Sequence, residues 1–308
     1  MSKYLVSRLV STIPTIVAIS ILVFSMLHFV PGDPVRAMFI ESGGVSQAQI
    51  DQVRQLLGLD LPVHVQYFKW VSRAIRGDLG ESIITRQSVS ELIRLNFPST
   101  LQLTLAGIAL AAVVGVGLGI IAAVWHNSWI DNVTMVLATF SVSMPSFWLG
   151  LLLIYTFCIR LHWVPVTSGS DLKRLALPAI ALGLRSAAVI ARLVRTSLLE
   201  TMQEDYIRTA RAKGLGERAV IVGHALRNAL IPLVTVLGLQ FGWLLGGAVI
   251  TEQVFARRGL GTLMVAALQA RDFPMAQGTI LFAGLVYVLV NLGVDVLYAY
   301  LDPRIRYV

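Results

Sequence analysis

Six apolar runs constrain this chain of 308 residues more than any other feature. They extend from Leu9 to Val30, Leu101 to Val124, Val133 to Ile159, Leu175 to Val194, Ile231 to Ile250 and Ile280 to Tyr300. A helix needs about 20 apolar residues to cross roughly 30 Å of hydrocarbon, and each run reaches that length. Inside hydrocarbon every backbone polar group must be satisfied within the segment, so the runs are expected to be α-helices. Composition agrees: 56% of residues are hydrophobic and 14% are charged, where a soluble domain carries about 25% charged residues. The fold class that follows is an all-α polytopic membrane protein with six transmembrane helices. The third run is long enough to tilt or bend, and Pro145 offers a place for it. Arg185 and Arg192 interrupt the fourth.

Lys3 and Arg8 resemble the charged start of a secretory signal, but the run after them is too long for one. It ends in Val30-Pro-Gly-Asp-Pro34 without a small-residue cleavage site, so an uncleaved first helix is expected. The single cysteine, Cys158, lies in the third run and implies no disulfide framework. With the N-terminus inside, Lys3, Arg8, Arg195, Arg208, Arg211, Lys213, Arg218, Arg227, Arg304 and Arg306 fall on the cytoplasmic side. Arg160, Lys173, Arg174, Arg257, Arg258 and Arg271 fall outside. This bias places both termini in the cytoplasm. The net charge of +8 then reads as positive-inside charge with affinity for the anionic lipid bilayer, not as a footprint for nucleic acid.

The long segment between the first two runs should be a helical external loop. Ser46-Gln-Ala-Gln49 forms a capping box, followed by Ile50, Val53, Leu56 and Leu57 at helical spacing and Gly58 as a stop. A second helix is expected from Pro62 to Gly77, with Val65, Phe68 and Ile75 among its apolar contacts. Ser88-Val-Ser-Glu91 is another capping box, leading to the second run. Such a loop can cap the membrane face, dock an external partner, or do both.

Chemistry-bearing motifs are missing. None of the four lysines follows a glycine, so the phosphate-cradling pattern G-x-x-x-x-G-K-S/T is absent. Gly115-Val-Gly-Leu-Gly119 lies inside a membrane run, where close helix packing explains it better than a dinucleotide loop. His28, His64, His126, His162 and His224 are scattered without metal-ligand spacing, so no metal site is expected. No serine in a run has an evident histidine base. The pattern suits a conduit, not an enzyme.

Between the fourth and fifth runs lies a polar stretch. Glu200, Glu204 and Asp205 precede Arg208, Arg211 and Lys213, an order that complements a helix dipole, and Gly214 can supply a left-handed cap. Thr209 and Ala210 are small enough to let another surface approach closely. A solvated loop helix is the plain reading; contact with something outside the membrane is the functional one.

Asp205-Tyr-Ile-Arg-Thr-Ala-Arg-Ala-Lys-Gly-Leu215 and His224-Ala-Leu-Arg-Asn-Ala-Leu-Ile-Pro232 resemble the so-called EAA loop of bacterial ABC importer permeases. In detail they are similar to the dipeptide/oligopeptide branch. Pro31-Gly-Asp-Pro34, Gly77-Asp-Leu-Gly80, Met144-Pro145, Glu252-Gln-Val-Phe255, Gly259-Leu-Gly261 and Leu301-Asp-Pro-Arg-Ile-Arg306 match as well, in one order along nearly the whole chain. The resemblance is to the B-type subunit of a type I importer. Arg208-Thr209-Ala210 stand where the general motif has Glu-Ala-Ala, so only Ala210 and Gly214 match it literally, and Pro232 lies farther downstream than usual.

The resemblance implies a residue 1–96 segment with the first transmembrane helix and the external loop, a 97–301 transmembrane domain of five helices, and a 302–308 cytoplasmic tail. It implies a coupling helix in which Glu204, Asp205, Tyr206, Arg208, Thr209, Ala210, Arg211, Lys213 and Gly214 face a cytoplasmic ATPase. ATP and Mg would be bound by two partner ATPase subunits, with no cofactor in this chain. A homologous second permease subunit and an extracytoplasmic substrate-binding protein would complete the assembly in the bacterial inner membrane, working by alternating access.

Polar positions within the runs are candidates for a translocation path: Ser141, Ser143, Arg185, Gln240 and Asn291, with Asp295 nearer a membrane face. Serine and asparagine also bond between helices for purely structural reasons, and Arg192 can snorkel to an interface. Arg185 sits deeper and would suit a carboxylate-bearing peptide. Dipeptides are the first expectation for cargo, with glutathione or nickel as alternatives. A stand-alone secondary transporter or channel would instead call for buried coupling charges and inverted repeats, which are not evident. A membrane enzyme or scaffold is the third class.

Overall fold

The computed structural model describes residues 2–29, 47, 60–164 and 171–301. In chain order the described helices are α1 (Ser2–Phe29), α2 (Val63–Ile75), α3 (Val89–Val124), α4 (Trp129–Ser143) and α5 (Ser146–Leu153), the last continued by a π-helical turn, π1 (Ile154–Arg160). Then come α6 (Asp171–Thr201), α7 (Asp205–Ala212), α8 (Glu217–Ala219), π2 (Val220–Ala225) and α9 (Leu226–Ala229). The last three are α10 (Ile231–Val254), α11 (Leu260–Gln269) and α12 (Phe273–Leu301). The helix expected over Ile50–Leu57, the Pro31–Pro34 motif and the 302–308 tail lie outside the described residues.

Five of these helices are long and apolar enough to cross a membrane, and a sixth crossing exists if α4 and the α5–π1 pair count together. The chain is an all-α polytopic membrane protein. The third run bends where Pro145 offers a place for it, so Val133 to Ile159 is not one straight span. Helix α4 stops at Ser143, Met144 turns extended (ψ 130°), and the chain bends by 106° before α5. Pro145 fits the break, since a proline disfavours helical backbone at the residue before it and Met144 is extended. By contrast, the two arginines in the fourth run do not interrupt it; α6 continues unbroken through 31 residues.

The chain divides into two compact units. The first comprises residues 1–5, 100–257 and 290–308. Its centre is α6, whose apolar window is 67% buried, against 33% for α3 and 22% for α10. The reason is local: α6 turns Gly183, Ala187 and Ala191 towards α3, four residues apart and so on one face. A β-carbon built at Gly115 would stand 2.7 Å from the Ala187 carbonyl oxygen and from Ile190 Cβ. At Gly119 it would stand 2.7 Å from the Ala191 carbonyl oxygen and 2.8 Å from Val194 Cβ, and Gly183 meets the backbone of Gly107. Gly117, between them, meets nothing. Without a hydrophobic drive between lipid-bathed helices, such close van der Waals approach is what holds them.

The second unit comprises residues 6–99 and 258–289. Its core gathers Val89 and Ile93 of α3 with Leu260, Ala267, Met275 and Ala276. Asp272 is 3% exposed and accepts hydrogen bonds from Ser82 Oγ (2.5 Å), Ile83 N–H and Met275 N–H, so it caps α12 and holds the 81–83 segment at once. Gly77 (φ +82°) and Gly80 (φ +87°) form the turn after α2. Between them Asp78 accepts from Gly80 N–H and from Arg73 Nε. The Arg73 guanidinium first, and the Gly80 amide second, hold the Asp78 carboxyl below its usual range.

Helix α2 begins after Pro62 and ends at Ile75, close to its expected limits. Phe68 and Ile75, however, are not among its inner contacts. They are 67% and 81% exposed. The face that packs carries Tyr67 and Trp70 instead, set against Phe24 of α1.

Candidate functional site

Helix α7 is built as its charges suggest. Glu204 is the extended N-cap (φ −67°, ψ 147°), and its carbonyl accepts from Ile207 N–H at 3.0 Å and Arg208 N–H at 3.3 Å. Asp205 sits in the first turn and Arg211 in the last, the order that favours the dipole. Gly214, at φ +79°, closes the end, where Leu215 N–H returns to the Ala210 carbonyl.

Docking comes from two side chains. Ile207 is fully buried and Ala210 is 7% exposed; both join Ala123, Leu198, Val220, Ala225 and Ala229 in one apolar cluster. Polar ties supplement it. Arg211 donates twice to the Glu217 carboxylate, at 2.7 and 3.2 Å, and Asn228 Nδ2 donates to Tyr206 Oη at 2.8 Å. The ends of α3 and α6, the π2 turn and α9 thus hold a single short helix.

Of the coupling residues expected from sequence, Glu204, Asp205, Tyr206, Arg208, Thr209, Lys213 and Gly214 are exposed on this docked helix. Arg211 is half-buried in its ion pair. Ala210 departs from expectation: its small size permits close approach to its own subunit's core, not to an outside surface. Thr209 remains on the exposed face, its hydroxyl bonded back to the Asp205 carbonyl.

The path candidates separate. Ser186 of α6 donates to Gln240 Oε1 of α10 at 2.7 Å, and one residue earlier the Arg185 guanidinium stacks 4.2 Å from the Trp243 ring centroid. A polar seam between α6 and α10 therefore carries Arg185 and Gln240 together. Trp243 is the residue that sequence reasoning missed there; its spacing of three from Gln240 is the signal. A cation over an indole face at this distance is attracted by the ring quadrupole and held in place.

Ser141 and Ser143 bond instead to carbonyls of their own helix, at Leu137 and Thr139. Ser143 also lines a groove of about 580 Å³ along α4 with Asn132, Met135, Val136, Thr139 and Phe140. Asn291 Oδ1 is buried and finds no hydrogen-bond partner among the described residues. None of the described contacts joins these three to the α6–α10 seam.

A second cluster escaped the sequence reading. Asp131 is almost wholly buried and accepts from Arg195 Nε at 2.6 Å and Arg195 Nη2 at 2.7 Å. Asn127 N–H adds 3.0 Å, and His126 Nδ1 lies 3.2 Å from the same carboxylate. This bidentate fork ties the start of α4 to α6 within two turns of the C-terminal end of α6. Ser128, whose hydroxyl accepts from Asp131 N–H, marks the helix start in sequence. The partner Arg195, 64 residues away, has no local signal.

In the first unit a charged helix docks on the ends of membrane-length helices, an arrangement that suits a multi-pass transporter domain. The match to known families is specific. A model described as "Binding-protein-dependent transport system inner membrane component" covers residues 115–307, and its companion N-terminal model covers residues 1–104. The chain belongs to this family of ABC importer permeases.

Over its full length it is 46% identical to the glutathione transport system permease protein GsiC of Escherichia coli O6:H1 (strain CFT073), all of which is covered. It is 45% identical, with the same coverage, to the GsiC protein of Shigella dysenteriae serotype 1. Among solved structures, an inward facing form of the MetNI methionine ABC transporter gives a TM-score of 0.59 at 18% identity, covering 68% of this chain and 96% of that one. An amino acid ABC transporter gives 0.53 at 17% identity, with 70% and 94% covered. At these identities the likeness is one of fold. The chain is a permease subunit of the inner membrane and not an enzyme. Membership of a binding-protein-dependent ABC importer implies ATPase and binding-protein partners.

Proposed function

We propose that this permease pairs with a homologous second subunit and moves a short, carboxylate-bearing peptide across the membrane by alternating access. The carrying observation is the construction of α7. Its inner face is fixed by Ile207 and Ala210, while Asp205, Arg208, Thr209 and Lys213 are exposed to a partner. In this reading that face meets a cytoplasmic ATPase, both termini lie in the cytoplasm, and ATP with Mg is bound by the partner. A nucleotide can drive the change only by favouring one conformation over the other, and a helix fastened to α3, α6 and π2 can pass that preference on.

The cargo reading rests on two supports. Full-length relatives at 45–46% identity are glutathione permeases. The Arg185 guanidinium, held over Trp243 beside the Ser186–Gln240 bond, offers a fixed cation for a carboxylate. Glutathione and dipeptides share that group, and glutathione is the first substrate to test.

The test is reconstitution of the full complex in liposomes with its binding protein, scoring ATP-dependent uptake of labelled glutathione and of a dipeptide. Uptake of either that falls severely in Arg185→Gln, with assembly intact, is the expected outcome. Uptake by this chain alone, or a cross-linking map in which α7 touches no ATPase, would refute the assignment.

A further inference from the structure

Helix α2 has an apolar strip that no described residue covers, and its position identifies what does. We propose that α2 is an interfacial helix, lying in the lipid headgroup boundary at the C-terminal end of α1 with Phe68 and Ile75 inserted among phospholipid acyl chains.

Depth comes first. The apolar window of α1 runs from Arg8 to Met26, and Ser20 lies about 9 Å inside its end at 1.5 Å per residue. The Tyr67 hydroxyl of α2 reaches Ser20 Oγ at 2.8 Å. The Tyr67 ring meets the edge of Phe24 at 5.4 Å, and Trp70 lies 5.9 Å from the same ring. Two aromatic side chains of α2 therefore enter the level of the membrane-spanning window instead of standing above it.

Direction comes second. At about 100° per residue, the face of α2 that touches α1 continues from Trp70 and Tyr67 through Val71 to Ile75 and Phe68, the last two within about 20° of each other. The uncovered strip is thus the unfinished half of a membrane-directed face. Its exposure, 81% at Ile75 and 67% at Phe68, is too large for an inner contact. Val71 between them is half-buried, consistent with a face that passes gradually out of protein contact.

Charge comes third. Lys69 and Arg76 project from the side opposite Tyr67 and are exposed; Arg73 beside them is paired with Asp78. With the Phe68–Ile75 strip towards the acyl chains, Lys69 and Arg76 lie about 100° round the helix at its flank and Arg73 farther round. That arrangement suits a bilayer interface with cations near lipid phosphates. A binding protein docked on the strip would have to cover Phe68 and Ile75 at that depth. In the proposed placement lipid occupies that level.

The experiment uses the assembled transporter in nanodiscs of phosphatidylethanolamine and phosphatidylglycerol, in a Cys158→Ser background. Spin labels are placed singly at Phe68→Cys, Ile75→Cys, Lys69→Cys and Arg76→Cys, and collision with oxygen is compared with collision with a water-soluble nickel chelate. The expected result is an inversion: oxygen dominates at 68 and 75, and the chelate dominates at 69 and 76. Dominance of the chelate at 68 and 75 would put the strip in water and overturn the proposal. Exclusion of both reagents at 68 and 75 would show a protein occupant, also overturning it; repeating the measurement without binding protein identifies that occupant. The readout is collision frequency, not transport, so it stands or fails independently of the cargo.

Discussion

The α3–α6 interface and the surface of α7 belong to one unit and obey opposite rules. Between α3 and α6, specificity comes from what is missing: Gly115, Gly119 and Gly183 remove side chains so that backbone meets backbone. On α7 it comes from what is added: eight residues carry Asp205, Arg208 and Arg211, with only Ile207 and Ala210 turned inward. The first region has no freedom to accommodate change, because a carbonyl oxygen and a branched β-carbon occupy the space. The second can change its outer face without touching its anchor. A permease whose helices must stay packed yet answer to a partner needs both.

The most severe way to break the comparison is Gly115→Leu. Ordinary overpacking costs about 1–3 kcal/mol, and here the atoms in the way, at 2.7 Å, are a backbone carbonyl and a β-carbon that cannot swing aside. No folded permease should be recovered from membranes by size-exclusion chromatography. Gly117→Leu, two residues away and facing open space, should be recovered at normal yield. Equal yields from the two would show that α3 and α6 do not pack through their glycines.

Arg195→Gln comes next. Removing one partner of a buried ion pair costs about 3–5 kcal/mol because the other charge is left unpaired, and Asp131 is almost completely enclosed. The thermal midpoint in nanodiscs should drop sharply. The double variant Asp131→Asn with Arg195→Gln should recover part of the loss; a double variant as weak as the sum of both singles would mean that the two do not act as a pair.

Ile207→Ala is smaller. Truncating a buried aliphatic side chain costs about 2–5 kcal/mol, but α7 is a surface helix whose Arg211–Glu217 and Tyr206–Asn228 ties survive. Proteolysis or hydrogen exchange should open residues 205–214 while the membrane helices stay protected. Loss of protection across the whole chain would make α7 part of the global core.

How much of this was legible beforehand depends on distance along the chain. The glycine run at Gly115–Gly119, the cap at Gly214 and the break at Met144–Pro145 are local features, and sequence periodicity and turn chemistry find them. The Asp131–Arg195 fork, the Ser186–Gln240 bond and the grip of Asp272 on Ser82 join residues 64, 54 and 190 positions apart. Nothing in the sequence near Asp131 announces its cation. Phe68 and Ile75 show a subtler limit: spacing revealed that α2 has an apolar face, but not what medium covers it. Ala210 was placed on the correct helix and the wrong side, because eight residues with a near-even spread of small and charged side chains leave the inner face to be decided by packing.

Arg208→Ala should have the smallest effect on the fold and so divides the two regions most sharply. Arg208 and Asp205 stand 3.5 Å apart with 73% and 96% of their side chains exposed, a pair that solvent screens almost completely. Its loss should leave the thermal midpoint unchanged within error and the complex intact. Transport should nevertheless fall relative to ATP hydrolysis, because in the proposed assembly this exposed face is what the ATPase grips. Thr209→Leu, which adds bulk to the same face without altering charge, should do the same by keeping the two surfaces apart. If both variants transport at the normal ratio of peptide to ATP, the outer face of α7 is only a solvated helix, and force must enter the bundle elsewhere. The Arg211–Glu217 link is the next place to look, since it ties α7 directly to α8.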